Sequence, residues 1–422
     1  MDRGPELKQT HGGLPGIEGL RALAACSVLV YHVWRFGAPN GERPDLGVLS
    51  SVMPHLWHGV TLFFVLSGFL LYRSFAAAAL RGTAAPNIVR YAGKRALRIL
   101  PAYWVVLLVT VFVLQVALVP DGSGGRTEGV PGFDLLVLNV LFLQNYSVDS
   151  IFTGIGPAWS LSVEVVFYAV LPLLGLLALR LTAHGRGRRT AVLVPIVLLL
   201  LVGASSKLAM FGLAEWELGV SRSFWGLADM FGLGMLVAVV HIEVQDGRLA
   251  LPRFWRAGTV TLIGGVAVLL AVGTTQLEPR ELHQYASGIV SALLLGLVVI
   301  PGAGGPRGIV RVLETRVPLA IGPISYGVFL WHEPLLRWLR LSGATADGAV
   351  GFVLNLAVVG LATGLLATLT YRYVEVPALR LKTRGRPDRP VRPSPIPTPS
   401  AAVRAPALAR MPVARPPTPT AP

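Results

Sequence analysis

Charge is what this chain has least of. Only 14% of its 422 residues are Asp, Glu, Lys or Arg, against 53% hydrophobic, and its mean hydropathy is +0.62. A soluble domain of this size needs a charged surface that such a composition cannot supply, so a bilayer is its solvent. Cysteine is nearly absent. The single Cys26 excludes an intramolecular disulfide, a cysteine zinc cluster and a CxxC redox pair together. The eight histidines are scattered, without ligand spacing on one helix, and imply no metal. Acids are outnumbered, 22 against 37 bases, for a formal charge of +15. The bases fall in alternate loops and in the tail, a topology signal that argues against a patch for nucleic acid. No internal repeat is visible.

What the chain does have is a series of apolar blocks of about twenty residues, the length that crosses about 30 Å of hydrocarbon as a helix. The blocks are continuous and do not alternate, which favours helices over barrel strands. The fold class is therefore all-α: a polytopic integral membrane protein of about ten transmembrane helices. They fall near residues 17–36, 57–76, 100–119, 159–180, 190–211, 223–242, 258–277, 284–301, 318–339 and 350–373. The block from Leu135 to Gln144 is too short to span and reads as a re-entrant or interfacial helix. The first block is long, contains Glu18 and Arg21 and lacks a convincing small-residue cleavage site, so it is expected to be retained as a span.

Loop charge orients these spans in the cell membrane. Arg73, Arg81, Arg90, Lys94, Arg95 and Arg98 lie in the second connection. Arg180 to Arg189, Arg248 to Arg256 and Arg307 to Arg316 mark later even ones. Both termini are thus expected in the cytoplasm. Residues 1–16 form a short cytoplasmic segment, 17–381 the membrane domain, and 382–422 a Pro- and Arg-rich tail with no apolar face to bury, expected to be disordered.

An ionisable group inside a span is expensive, which makes each one a functional candidate. Arg21 and His32 are eleven residues apart on the first span, about 16 Å of rise and nearly three whole turns, so they share a face. A snorkelling Arg and a hydrogen-bonded interior His are an equally good reading of the pair alone. Arg95 and Arg98, in KRALRILPAYW, are one turn apart and suited to clamping phosphates, although bases beside a span are commonly topology signals. In WSLSVEVVFYAVLP, Trp159 opens a span, and Ser160 and Glu164 share a face. SYGVFLWHEPLL places Ser325, Tyr326 and His332 on one span as a candidate site wall, with Glu333 near its outer end. Lys207 and Asp229 also fall within spans, with no pairing readable.

Six motifs then occur in order: Arg21 and His32 with ten residues between, GVTLFFVLSGFLL, RALRILPAYW, WSLSVE, SYGVFLWH and YRYVEVPALRL. Together they resemble the acyltransferase 3 family of membrane acyltransferases, over about Ile17 to Leu381. The resemblance implies transfer of an acetyl or other short acyl group from acyl-CoA, most simply acetyl-CoA used as a co-substrate with no tightly bound cofactor. The acceptor is then a hydroxyl of a carbohydrate, a cell-envelope glycan or a glycosylated small molecule. It ties His32 to catalysis with Arg21 completing the motif, and links Arg95 and Arg98 to the donor. Glu164 is a third catalytic candidate by its own position, able to accept a proton, orient a partner or pair with a cation, and a structural carboxylate paired with another span is an equally good reading of it. Trp159, Ser160, Tyr326 and His332 are substrate-site candidates. Some members append a hydrolase-like domain, and a two-step relay through one is not expected here. The spacing permits His32 to act as general base on an acceptor hydroxyl that attacks the thioester directly.

Three rivals stand beside this reading. HIEVQD, from His241 to Asp246, matches the HxxxxD pattern of glycerophospholipid acyltransferases. His332 can be pressed into the role of the intramembrane histidine of the membrane-bound O-acyltransferases. A transporter or flippase of a polar or glycan substrate also places charges inside spans, though no inverted repeat supports it.

Overall fold

The computed structural model describes residues 14–210, 217–273, 280–300 and 308–381. The expected tail lies outside the described residues. The chain folds as α1 (Ile17–Phe36), α2 (Gly59–Arg81), α3 (Ile88–Leu108), α4 (Phe133–Val140), α5 (Trp159–Ala183), α6 (Arg188–Met210) and α7 (Glu217–Ser221). There follow α8 (Phe224–Gln245), α9 (Trp255–Gly273), α10 (Arg280–Val299), α11 (Gly308–Leu313), α12 (Arg316–Leu341), α13 (Gly348–Thr370) and α14 (Val376–Leu381). The one sheet among the described residues is a hairpin, β1 (Ala117–Pro120) against β2 (Arg126–Gly129), antiparallel.

Each apolar block read as a span overlaps a helix, and residues 211, 274–277 and 301 of three of these blocks lie outside the described residues. By length and hydropathy, however, seven stretches among the described residues qualify to cross a membrane, built on α1, α2, α3, α5, α6, α8 and α13. The helices α9, α10 and α12 do not. α12 contains Arg316, Glu333, Arg337 and Arg340, and such charges lower the mean hydropathy of a helix even where its core-facing side is apolar.

The third span departs most from its expected bounds of 100–119. The side chain of Asn87 caps α3 by accepting from the Arg90 amide at 2.8 Å, so the helix begins twelve residues before the apolar run. The basic turns around Arg95 and Arg98 are therefore helical, where hydropathy alone suggests a loop. At the other end one π-helical turn, Val109–Val113, closes α3, and residues 117–120 are already strand. The short block at 135–144 does form a short helix, α4, anchored by buried Asn139, which donates to Leu135 O and Thr153 Oγ1 at 2.9 and 2.8 Å.

The core is set by close helix contacts. A Cβ on Gly68 would lie 2.2 Å from Phe231 O, and one on Gly234 would lie 2.0 Å from Val65 O, so only glycine lets α2 and α8 approach this closely. Phe64, Phe167 and Phe231 fill the space beside that contact, the last two stacked at 4.0 Å between centroids. α1 packs along α12, and the two run in the same direction, Arg21 meeting Ser325 and His32 meeting His332. This contact positions the site.

Candidate active site

Two rows of polar contacts join α1 to α12. Near the start of α1, Arg21 donates from Nε and Nη2 to Ser325 Oγ at 3.2 and 3.1 Å, with the Glu18 carboxylate 3.8 Å from Nε. Near its end, His32 Nδ1 lies 2.8 Å from Val28 O and 3.4 Å from His332 Nε2, and His332 Nδ1 lies 3.1 Å from Val328 O. A carbonyl oxygen only accepts, so the hydrogen-bond pattern assigns a hydrogen to Nδ1 of each ring. His332 Nε2 then offers a lone pair to the His32 Nδ1–H. His32 Nε2 is left as the basic nitrogen.

The expected shared face of Arg21 and His32 is thus present, directed at α12, but the two residues border different cavities. The first has about 780 Å3 of empty volume and is lined by Arg21, Arg95, Arg98, Ser160, Glu164 and Tyr326, with Ser67, Tyr168 and an apolar side from α2. Ser67 and Tyr168 both donate to Glu164 Oε1, Tyr168 at 2.5 Å, and Tyr326 donates to Ile99 O at 2.9 Å. Three guanidiniums thus line one cavity against one carboxylate, an arrangement suited to binding an anion.

The second cavity, with about 1470 Å3 of empty space that includes its open mouth, holds His32 and Trp159 together with Tyr31, Phe36, Trp57 and Phe152. Charge enters from Arg126, Glu128, Arg222, Glu333, Arg337 and Arg340. Val60 borders both cavities, and the neighbours Trp159 and Ser160 face one each. His332 is not a wall residue, contrary to the expectation. At 1% exposure it is buried behind His32, because residue 332 turns toward α1 while Glu333 turns toward the cavity. Glu164 likewise lies in the cavity that does not contain His32.

Most of the second cavity's charges are missed by motif reading. Glu128 binds Arg337 at 3.2 Å and Arg340 at 2.6 Å, and Glu333 is engaged by Arg337. These residues come from the β1–β2 hairpin and from α12, more than 200 positions apart. The one available signal is the i, i+4 spacing of Glu333 and Arg337.

Other in-span charges pair with each other. Lys207 Nζ contacts both Asp229 oxygens at 2.7 Å, each residue almost fully buried. His241 Nδ1 donates to Val299 O at 2.9 Å, while the Asp246 carboxylate is held by Arg81 and Arg248 at 2.8 Å. The arginines hold the Asp246 carboxyl below its ordinary range. HIEVQD is therefore no catalytic pair, since the Asp that should orient the His is bound elsewhere.

The family model for an acyltransferase domain, acyltransferase 3, matches residues 14–372. The chain belongs to the acyltransferase 3 family. This acyltransferase is 26% identical over 406 residues to nodulation protein 10 of Rhizobium leguminosarum bv. viciae, covering 90% of this chain and 97% of that protein. It is 27% identical over 390 residues to the acyltransferase MdmB of Streptomyces mycarofaciens, covering 89% and 94%. It is 25% identical over 377 residues to the peptidoglycan O-acetyltransferase OatA of Listeria monocytogenes, covering 86% of this chain and 55% of that one. The acyltransferase thus spans just over half the length of that last relative. No solved structure matches it. The match sets aside the membrane-bound O-acyltransferase reading of His332, and none of these three relatives is named as a transporter.

Proposed function

We propose that this enzyme moves an acetyl or other short acyl group from acyl-CoA in the first cavity to a hydroxyl of a carbohydrate or glycosylated acceptor in the second. The observation that carries this reading is the pair of unlike cavities bordering on Val60, one basic and one aromatic, with His32 on the wall of the latter. Arg95, Arg98 and Arg21 supply charge-assisted donors for the phosphates of the donor. Aromatic rings in the second cavity offer flat faces for sugar rings, and its carboxylates and guanidiniums offer partners for hydroxyls.

Chemically, His32 Nε2 takes the proton of the acceptor hydroxyl as its oxygen attacks the thioester carbonyl. The new C–O bond forms, the C–S bond breaks, and the CoA thiolate leaves and is protonated from the imidazolium. His332 keeps the His32 ring in the tautomer that leaves Nε2 unprotonated, and Glu164 orders Ser67 and Tyr168 beside the donor. No covalent acyl-enzyme is required.

The orientation follows from charge. Arg21, Arg81, Arg188, Arg189 and Arg248 lie at the end of the bundle where α2 finishes and α1 starts, joined there by the Arg81–Asp246 and Arg189–Glu243 pairs and by the bond from Arg188 to Leu80 O. That end is the cytoplasmic one by the positive-inside rule, which puts acyl-CoA on its own side of the cell membrane, together with both termini. Ten crossings account for the packing. α1 and α12 run parallel, as do α2 and α8 through Phe64–Phe231, Phe69–His241 and Arg81–Asp246, while α6 and α8 are antiparallel through Lys207–Asp229 and Arg189–Glu243.

The test is acceptor-dependent release of free thiol from acetyl-CoA by detergent-purified protein, with the acylated product found by mass spectrometry across envelope glycans and glycosylated metabolites. Thiol release that no acceptor stimulates would refute the proposal.

A further inference from the structure

We propose that the acceptor carries a negative charge, a carboxylate or phosphate on its hydroxylated framework, and that Arg126 reads it. This rests on the second cavity being the acceptor site. Its walls bear four guanidiniums, from Arg126, Arg222, Arg337 and Arg340, against two carboxylates, Glu128 and Glu333. Both carboxylates are already engaged, Glu128 by Arg337 and Arg340, and Glu333 by Arg337. The balance of the lining is positive before any ligand enters.

Among the described residues, the guanidinium of Arg126 is in contact with neutral groups, a carbonyl and an aromatic ring. Its Nη2 donates to Val148 O at 2.7 Å, and the guanidinium sits over the Phe152 ring at 5.1 Å. Its Nε is buried and has no hydrogen-bond partner. A guanidinium presents a planar fork of donors, and a carboxylate or phosphate fills such a fork with two parallel bonds. A neutral hydroxyl can take one of these donors but forms no ion pair with the guanidinium.

The fold holds Arg126 in place for this task. It is the first residue of β2, paired with Pro120 of β1, so its backbone is fixed by a strand ladder. Close by, Gly156 lets the wall approach Glu333, because a Cβ there would lie 2.9 Å from Glu333 Oε1. The outer hairpin and the loop ending at Pro157 therefore form part of the cavity wall, together with α1 and α12. The aromatic groups Tyr31, Phe36 and Trp159 are available to the uncharged part of the ligand.

The experiment offers purified full-length protein one disaccharide in three forms: neutral, with a uronic carboxylate, and with a phosphate ester. Binding is measured by calorimetry and transfer from acetyl-CoA by mass spectrometry. The expected result is binding of at least one anionic form about tenfold or more tighter than the neutral one, as a charge-assisted pair predicts. In Arg126→Gln the ratio falls to within about twofold of unity, and in Arg126→Lys, which keeps the charge without the fork, it is intermediate. Whichever anionic form is preferred identifies the group. Equal binding of all three forms, no binding of any, or a preference that survives in folded Arg126→Gln overturns the proposal. An anion preference without any transfer leaves the Arg126 site standing and removes the acyltransfer role assigned to the cavity.

Discussion

His332 Nε2 lies 3.4 Å from His32 Nδ1, across 300 positions of sequence, and the two rings meet edge to face at 4.8 Å between centroids. In the proposed mechanism this contact pairs a general base, His32, with the residue that supports it, His332. Replacing His32 with Ala is expected to lower kcat by about 10²- to 10⁴-fold, the usual worth of a positioned general base. His332→Ala is expected to cost about tenfold to a hundredfold, as the loss of an orienting partner does. It should also shift the pH profile of kcat while leaving KM for the donor near its original value. A His332→Ala enzyme with an unchanged pH profile would show that the histidine serves packing alone.

On the proposed reading, the arginines of α3 hold the donor. Changing Arg95 and Arg98 together to Ala should raise KM for acyl-CoA by at least about tenfold, since hydrogen bonds to charged groups contribute about 1.5–3 kcal/mol each. Acceptor affinity should stay within about twofold. Equal CoA affinity by calorimetry in the double variant and the parent argues against the phosphate clamp.

Lys207 and Asp229 are a structural pair. Either one replaced by Ala leaves its partner charged and buried, at an expected cost of about 3–5 kcal/mol. The double variant Lys207→Met, Asp229→Leu should recover most of that loss, because it removes both desolvated charges at once. Thermal unfolding in detergent reads this, and a double variant no better than the singles contradicts it.

The approach of α2 to α8 depends on two glycines. Gly68→Val and Gly234→Val each force side-chain atoms into a facing backbone, where a Cβ alone would stand 2.2 and 2.0 Å from a carbonyl oxygen. Overpacking of this kind costs about 1–3 kcal/mol or more. Each variant should lower Tm and activity together, and a Tm equal to the parent's would mean that α2 and α8 do not pack this closely.

At the basic end of the bundle, Arg81 holds the Asp246 carboxyl below its ordinary value of 3.8. A depressed folded-state value means that this pair favours folding above the ordinary carboxylate range and loses that contribution as pH falls through the lowered value. Asp246→Asn should therefore flatten the acid limb of the stability curve slightly, and high salt should shrink the difference. Identical acid limbs for the two proteins at low salt would rule this out.

Much of the fold is legible in the sequence because the bilayer imposes a length and a polarity on every crossing. The ten apolar blocks each overlap a helix, and seven stretches among the described residues are long and apolar enough to cross a membrane. The errors fall where polarity and structure part company. α3 starts at Ile88 because Asn87 caps it, and the hairpin at 117–129 replaces the end of an expected span, since helix ends are set by local hydrogen bonds that hydropathy does not measure. α12 contributes to both cavities, yet its charges keep it below the hydropathy of a candidate span.

The sequence by itself determined that this is a helical membrane protein, that it belongs among the acyltransferases, and that Arg21, His32, Arg95 and Arg98 are set apart, because spacing along one helix and motif order are one-dimensional properties. Only the tertiary structure decided that Arg21 and His32 border different cavities, that His332 stands behind His32, and that Arg126 and Glu128 of the β1–β2 hairpin join Arg337 of α12 in one wall. Those relationships depend on which helices pack together and on the direction in which each runs. Such contacts span 200 to 300 residues, and no local pattern encodes them.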